Sequence, residues 1–115
     1  MKIKIVRDKI TKEELINLAQ DNYGDMVKAV VDIEKEIMAI GGEFHSDASV
    51  ILVEQNGSNQ EDIWGINIYP EKEKNEWLEF NSLINIKPLK NNRDVEIESE
   101  VIKDKIKNII NKLIE

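Results

Sequence analysis

Residues 26–40, Met26-Val-Lys-Ala-Val-Val-Asp-Ile-Glu-Lys-Glu-Ile-Met-Ala-Ile40, fit two templates, and the choice between them sets the architecture. Met26, Val30, Ile33, Ile37 and Ile40 recur at helical spacing, whereas Ala29, Val31 and Ile33 alternate with Lys28 and Asp32 as on a half-buried strand. The β-branched cluster of Val30, Val31 and Ile33 favours a sheet. Glu34, Lys35 and Glu36 pull the other way, being good helix formers and weak turn residues. The adopted reading is two strands joined by a tight turn near Glu34-Lys35-Glu36. A helix over the same residues is the alternative.

The flanking segments supply the rest of a sheet and two helices. Met1 to Val6 alternates Lys2 and Lys4 with Ile3 and Ile5, the period of a short strand. Thr11 opens a helix: its hydroxyl can accept from the amide of Glu14 while the Glu14 carboxylate reaches back, and Leu15, Leu18 and Ala19 form the apolar stripe before Gly24. Past Gly41-Gly42, the apolar run Val50 to Val53 reads as a buried strand and Asn56-Gly57 as the turn of a hairpin. Trp64, Ile66 and Ile68 alternate as the next strand until Pro70. Leu78, Phe80, Ile84 and Ile86 share one parity of a further strand that Pro88 ends. Asn91 to Glu98 is polar and reads as a surface connector. From Ser99, read as the N-cap, Ile102, Ile106, Ile109 and Leu113, flanked by Val101, Ile110 and Ile114, make a wide helical stripe. The fold class is therefore α+β: an antiparallel β-sheet with an N-terminal β-α unit and a C-terminal amphipathic helix. The helices Thr11–Tyr23 and Ser99–Ile114 are expected on one face, with part of the last stripe open to a subunit interface.

Composition narrows the functional classes. A chain of 115 residues is the size of one domain, and 41% hydrophobic with 34% charged residues describes a soluble globular chain. There is no cysteine, so thiolate chemistry and disulfides are excluded. No apolar run approaches a membrane span, and Met1 leads into a strand pattern rather than a signal peptide, so the expected address is cytoplasmic. A formal charge of −7 repels phosphate backbones and argues against nucleic acid as a partner. The basic groups Lys87, Lys90, Arg93 and Arg7, Lys9, Lys12 read as solvated surface.

Candidate chemistry collects between Gly41 and Pro70, which holds the only histidine and four of the five glycines. Glu43, His45 and Asp47 follow at i, i+2, i+4 and would share one face of an extended strand, in steps of roughly 7 Å. Carboxylates and imidazole are ligands for a divalent metal, but three residues on a straight strand need a bend at Ser46 to clasp one ion. Donors from Glu61 or Asp62 in the neighbouring loop are the other route. The plainer reading makes Glu43 a solvated residue, His45 a packed or capping one, and Asp47 an acceptor of turn amides. General acid/base work by His45 oriented by Asp47 is chemically reasonable, yet no serine carries a nucleophile-elbow pattern. Gly41-Gly42 fits a positive-φ turn or bulge better than a phosphate loop. Among the aromatics, Trp64 reads as core, and Tyr69 and Trp77 as candidates for a surface contact.

The run Met26 to His45, the block Trp64-Gly-Ile-Asn-Ile-Tyr-Pro70 and Leu83-Ile-Asn-Ile-Lys-Pro88 together resemble a family of small prokaryotic proteins classed as a domain of unknown function. The resemblance covers nearly the whole chain and implies no activity, ligand or catalytic residue. Relatives tend to show His-Ala-Asp-Ala-Glu where this chain has His45-Ser-Asp-Ala-Ser49, so an acidic group is missing at Ser49. The functional expectation is a non-catalytic cytoplasmic binding or self-associating protein. It would form a homodimer or meet a protein partner through Trp77, Tyr69 or the outer edge of the last helix. No cofactor is expected. The alternative is a small metal-dependent hydrolase with Glu43, His45 and Asp47 as ligands and Glu61 or Asp62 as base.

Overall fold

Segment 26–40 is a hairpin in the computed structural model, which describes residues 2–115. In chain order the elements are β1 Ile3–Val6, α1 Lys12–Asp21, β2 Val27–Asp32, β3 Ile37–Gly41, α2 His45–Asn56, β4 Ile63–Ile68, β5 Leu78–Glu79 and α3 Glu100–Leu113. Short 3-10 turns lie at Gln60–Asp62, Leu83–Asn85 and Pro88–Lys90. The five strands form one antiparallel sheet in the order β1-β3-β2-β4-β5. The turn that closes the hairpin is built by Asp32: its Oδ1 accepts from the amides of Glu34 and Lys35, both at 2.9 Å, and its carbonyl accepts from Glu36. A buried aspartate accepting local amides turns the chain without any contribution from the Glu34, Lys35 and Glu36 side chains, with Glu36 taking φ +56°.

Both faces of the sheet are covered, which explains why periodicity alone could not decide β2 and β3. On one face, α1 and α3 bury Leu15, Ala19, Ile106, Ile109, Ile110 and Leu113 against Ala29, Val31, Met38, Ile40, Trp64 and Ile66. On the other, Ala48 and Leu52 of α2 meet Val30, Ile37, Ala39 and Ile63. Consecutive strand residues therefore all need apolar side chains, and alternation is lost. The expected placement of the first and last helices on one face holds. Thr11 Oγ1 accepts from Glu14 N at 3.1 Å and Ser99 Oγ from Ile102 N at 3.2 Å, as their N-cap signals require.

Three expectations are corrected. Val50–Val53 is not a strand but the middle of α2, and Asn56-Gly57 is not a hairpin turn but the helix stop. Gly57 takes φ +69° and Ser58 N donates to Leu52 O at 3.1 Å. The strand expected from Leu78 to Ile86 lasts only two residues before the chain breaks into 3-10 turns, with Pro88 opening the second. The segment Asn91–Glu98 is more than a surface connector, because Asn92 and Ile97 are buried within it.

Those last two corrections share one cause, a pair of buried asparagines. β5 pairs only with Asn67 and Ile68 of β4, which leaves Gly65, paired with Val30 of β2 on its inner side, without a strand on its outer side. Asn85 substitutes for one: its Oδ1 accepts from Gly65 N at 2.7 Å and its Nδ2 donates to Gly65 O at 2.9 Å. Nδ2 of Asn92 in turn donates to the carbonyls of Asn85, Asp94 and Glu96 and holds the following loop. Side-chain amides carry the same donor and acceptor as a peptide and satisfy an edge in its place. No helix among the described residues is long and apolar enough to cross a membrane.

Candidate functional site

His45 stands in the first turn of α2, where the chain leaves β3 through Gly41 and Gly42, both at positive φ. Asp47 fixes that helix start, its Oδ2 accepting from Phe44 N at 3.1 Å. A helix here, rather than a strand, rotates the three expected ligands apart. His45 turns into the protein and is 7% exposed, while Glu43 and Asp47 remain at the surface. Among the described residues no three His, Cys, Asp or Glu side chains converge closely enough to hold a metal ion. Glu61 and Asp62 lie just before the start of β4, four to five residues from Ile66, where His45 docks. The strand residues between Ile63 and Ile66 alone span roughly 10 Å at strand rise.

His45 Nε2–H donates to the Ile66 carbonyl at 2.7 Å, which fixes the neutral tautomer with Nδ1 bare. Burial is the main cause holding the imidazole below its usual pKa, and the nearby Lys28 charge adds to it. The Ile66 carbonyl and the Asn67 side chain oppose the shift. Asn67 is itself buried; its Nδ2 donates to Glu79 Oε1 at 3.2 Å and its Oδ1 has no donor.

The ring forms part of a cleft of about 290 Å³ between the start of α2 and the Ser82–Asn85 turn. Phe44, Leu83 and Ile84 supply its apolar walls; Lys28, Ser46, Asn81 and Ser82 supply its polar ones. Phe44 and Leu83 are 59% and 77% exposed; Ile86 and Leu89, later in the chain and outside the cleft walls, are also exposed. Lys28 makes no ion pair among the described residues; its ammonium lies 5.3 Å from the Tyr23 ring centroid. Tyr23 is tied down by donating to Glu43 O at 2.5 Å.

The remaining sequence candidates lie elsewhere. Trp77, expected at the surface, is 3% exposed and packs in the core beneath α1 and α3. Tyr69 is half-buried, and its hydroxyl donates to Glu79 Oε1 at 3.0 Å. The outer edge of α3 offers one exposed large apolar side chain, Val101, since the rest of the stripe covers the sheet. Glu61 and Asp62 act on Lys87, a buried lysine whose Nζ donates to Gln60 O at 2.7 Å. Burial pushes that ammonium below its usual pKa, and the two carboxylates oppose the shift.

Sequence reasoning therefore found His45 and missed Lys28, Phe44 and Leu83. Lys28 looked like any polar strand residue, and no local pattern marks Phe44 and Leu83, which are 39 residues apart (83 − 44), as neighbours. A family model described as "Protein of unknown function (DUF5674)" matches residues 4–113. No curated protein and no solved structure matches the chain.

Proposed function

Since the chain belongs to this family of unknown function, its role has to be argued from the site, and we propose a non-catalytic binding module whose contact surface is the cleft at the start of α2. One observation carries the reading: Phe44 and Leu83, two of the most exposed large apolar side chains, wall the same concavity. Scattered apolar residues on a surface need no explanation, whereas clustered ones around a concave site mark contact surfaces. The reading is non-catalytic because the cleft presents one neutral imidazole and one ammonium, with no carboxylate among its walls to complete a constellation. The contact surface thereby moves from Trp77 and α3 to the opposite face of the sheet.

Amide chemical shifts read during titration with a mixed set of small apolar fragments test this directly. Phe44, Ser46 and Leu83 are expected to move first and saturably, and Phe44→Ser with Leu83→Ser is expected to abolish the response without lowering the melting temperature. Shifts that cluster around Trp77 or along α3, or none that saturate, would refute the proposal.

A further inference from the structure

Resting on that reading, we infer that the cleft takes a small carboxylate that carries an apolar body and one N–H or O–H donor. Three groups define the class. Lys28 supplies a positive charge with no carboxylate paired to it, in a chain whose net charge is −7. Ser46 adds a first-turn amide that no helix carbonyl can reach, at the positive end of α2. His45, on the same cleft wall, adds Nδ1 as an acceptor with no partner among the described residues, since Nε2–H is committed to Ile66 O; a ligand N–H or O–H would satisfy that lone pair. Phe44 and Leu83 receive the apolar body.

The carboxylates nearby leave room for an anion. Asp47 is engaged by the Phe44 amide, Glu79 by Asn67 and Tyr69, and Glu43 is solvated outside the cleft walls. A volume of about 290 Å³ lies at the lower end of ligand pockets and suits a molecule of amino-acid size rather than a nucleotide.

The probe is N-acetyl-leucine, compared with its neutral amide N-acetyl-leucinamide and with the acetyl ester of 2-hydroxy-4-methylpentanoic acid, which keeps the carboxylate and loses the N–H. Amide shifts and calorimetry at low and high salt give the affinities. The acid is expected to bind about tenfold tighter than its amide, an advantage that shrinks with salt and disappears in Lys28→Met. The ester is expected to fall below the acid by a similar factor, and His45→Gln, which keeps an acceptor, to bind better than His45→Leu. Acid and amide binding equally at Phe44 and Leu83 would overturn the anion assignment and leave the contact surface standing. Ester and acid binding equally would overturn the role of His45. No response at the cleft to any of the three would overturn both the inference and the proposed surface. The salt comparison decides the matter even where Lys28→Met fails to fold.

Discussion

Asn85→Ala should be among the most damaging single substitutions in the chain, although it removes only one small polar side chain. Its carboxamide makes four hydrogen bonds: from Gly65 N, and to the carbonyls of Gly65, Phe80 and Val95. The last two carbonyls keep another donor in the variant, Ile97 N and Ser82 N, each at 3.0 Å. Gly65 does not, because β5 is too short to reach it, so one N–H and one C=O are left buried and unpaired. Each such group costs about 1–3 kcal/mol, and water entering the vacated space recovers part, so the expected loss is about 2–5 kcal/mol. A domain of this size has about 5–15 kcal/mol in total. Urea unfolding followed by tryptophan fluorescence measures the loss, because Trp64 and Trp77 are both buried and both report global unfolding. Asn85→Asp should be worse than Ala near pH 7, since a carboxylate would then face three carbonyl oxygens. A loss under about 1 kcal/mol for Ala, or an Asp variant no worse than Ala, would refute the idea that this amide replaces a missing strand.

Three other outcomes follow from the same geometry. A Cβ at Gly65 would sit 2.5 Å from Ser82 Cβ, so Gly65→Ala should lose about 1–3 kcal/mol; Ser82→Gly in the same chain should restore most of it in a double-mutant cycle. Gly41 has φ +109° and abuts the Lys2 carbonyl, so Gly41→Ala should release the β1 edge, seen as faster hydrogen exchange at Ile3–Val6 while β2 and β4 stay protected. For pH, burial places the folded His45 below its unfolded value of about 6.5, so the unfolded chain binds more protons in the window between the two values. Stability is then full above about 6.5 and lost as pH falls through that window. Denaturant midpoints at stepped pH should show a slope there that His45→Gln removes, and an unchanged slope would contradict a neutral buried ring.

What could be read in advance was whatever is encoded within a few residues. The caps Thr11 and Ser99, the stripe of α3 and the alternation of β4 each lie inside one element, and each folded as read. The hairpin at 26–40 was read from β-branched residues, while its actual turn signal was Asp32, four residues before Glu36. The helix α2 was missed because Val50, Ile51 and Val53 favour strands and Asn56-Gly57 serves equally as hairpin turn or helix stop. Burial of Ala48 and Leu52 on the sheet, together with the Asp47 cap, outweighs that preference. The metal alternative failed with it, since a same-face trio on a strand does not stay one on a helix start.

Local sequence encodes the α+β class, the antiparallel sheet and the placement of α1 and α3 on one shared face, because alternation, helical periodicity and capping act between residues two to four apart. Tertiary structure decided the second covered face, the length of β5 and the composition of the cleft. Each of those depends on groups that meet only after folding: Asn85 with Gly65, His45 with Ile66, and Phe44 with Leu83 beside Lys28. A buried polar group is stable only with a partner, and nothing in the local sequence around Asn85 or His45 says where that partner will come from.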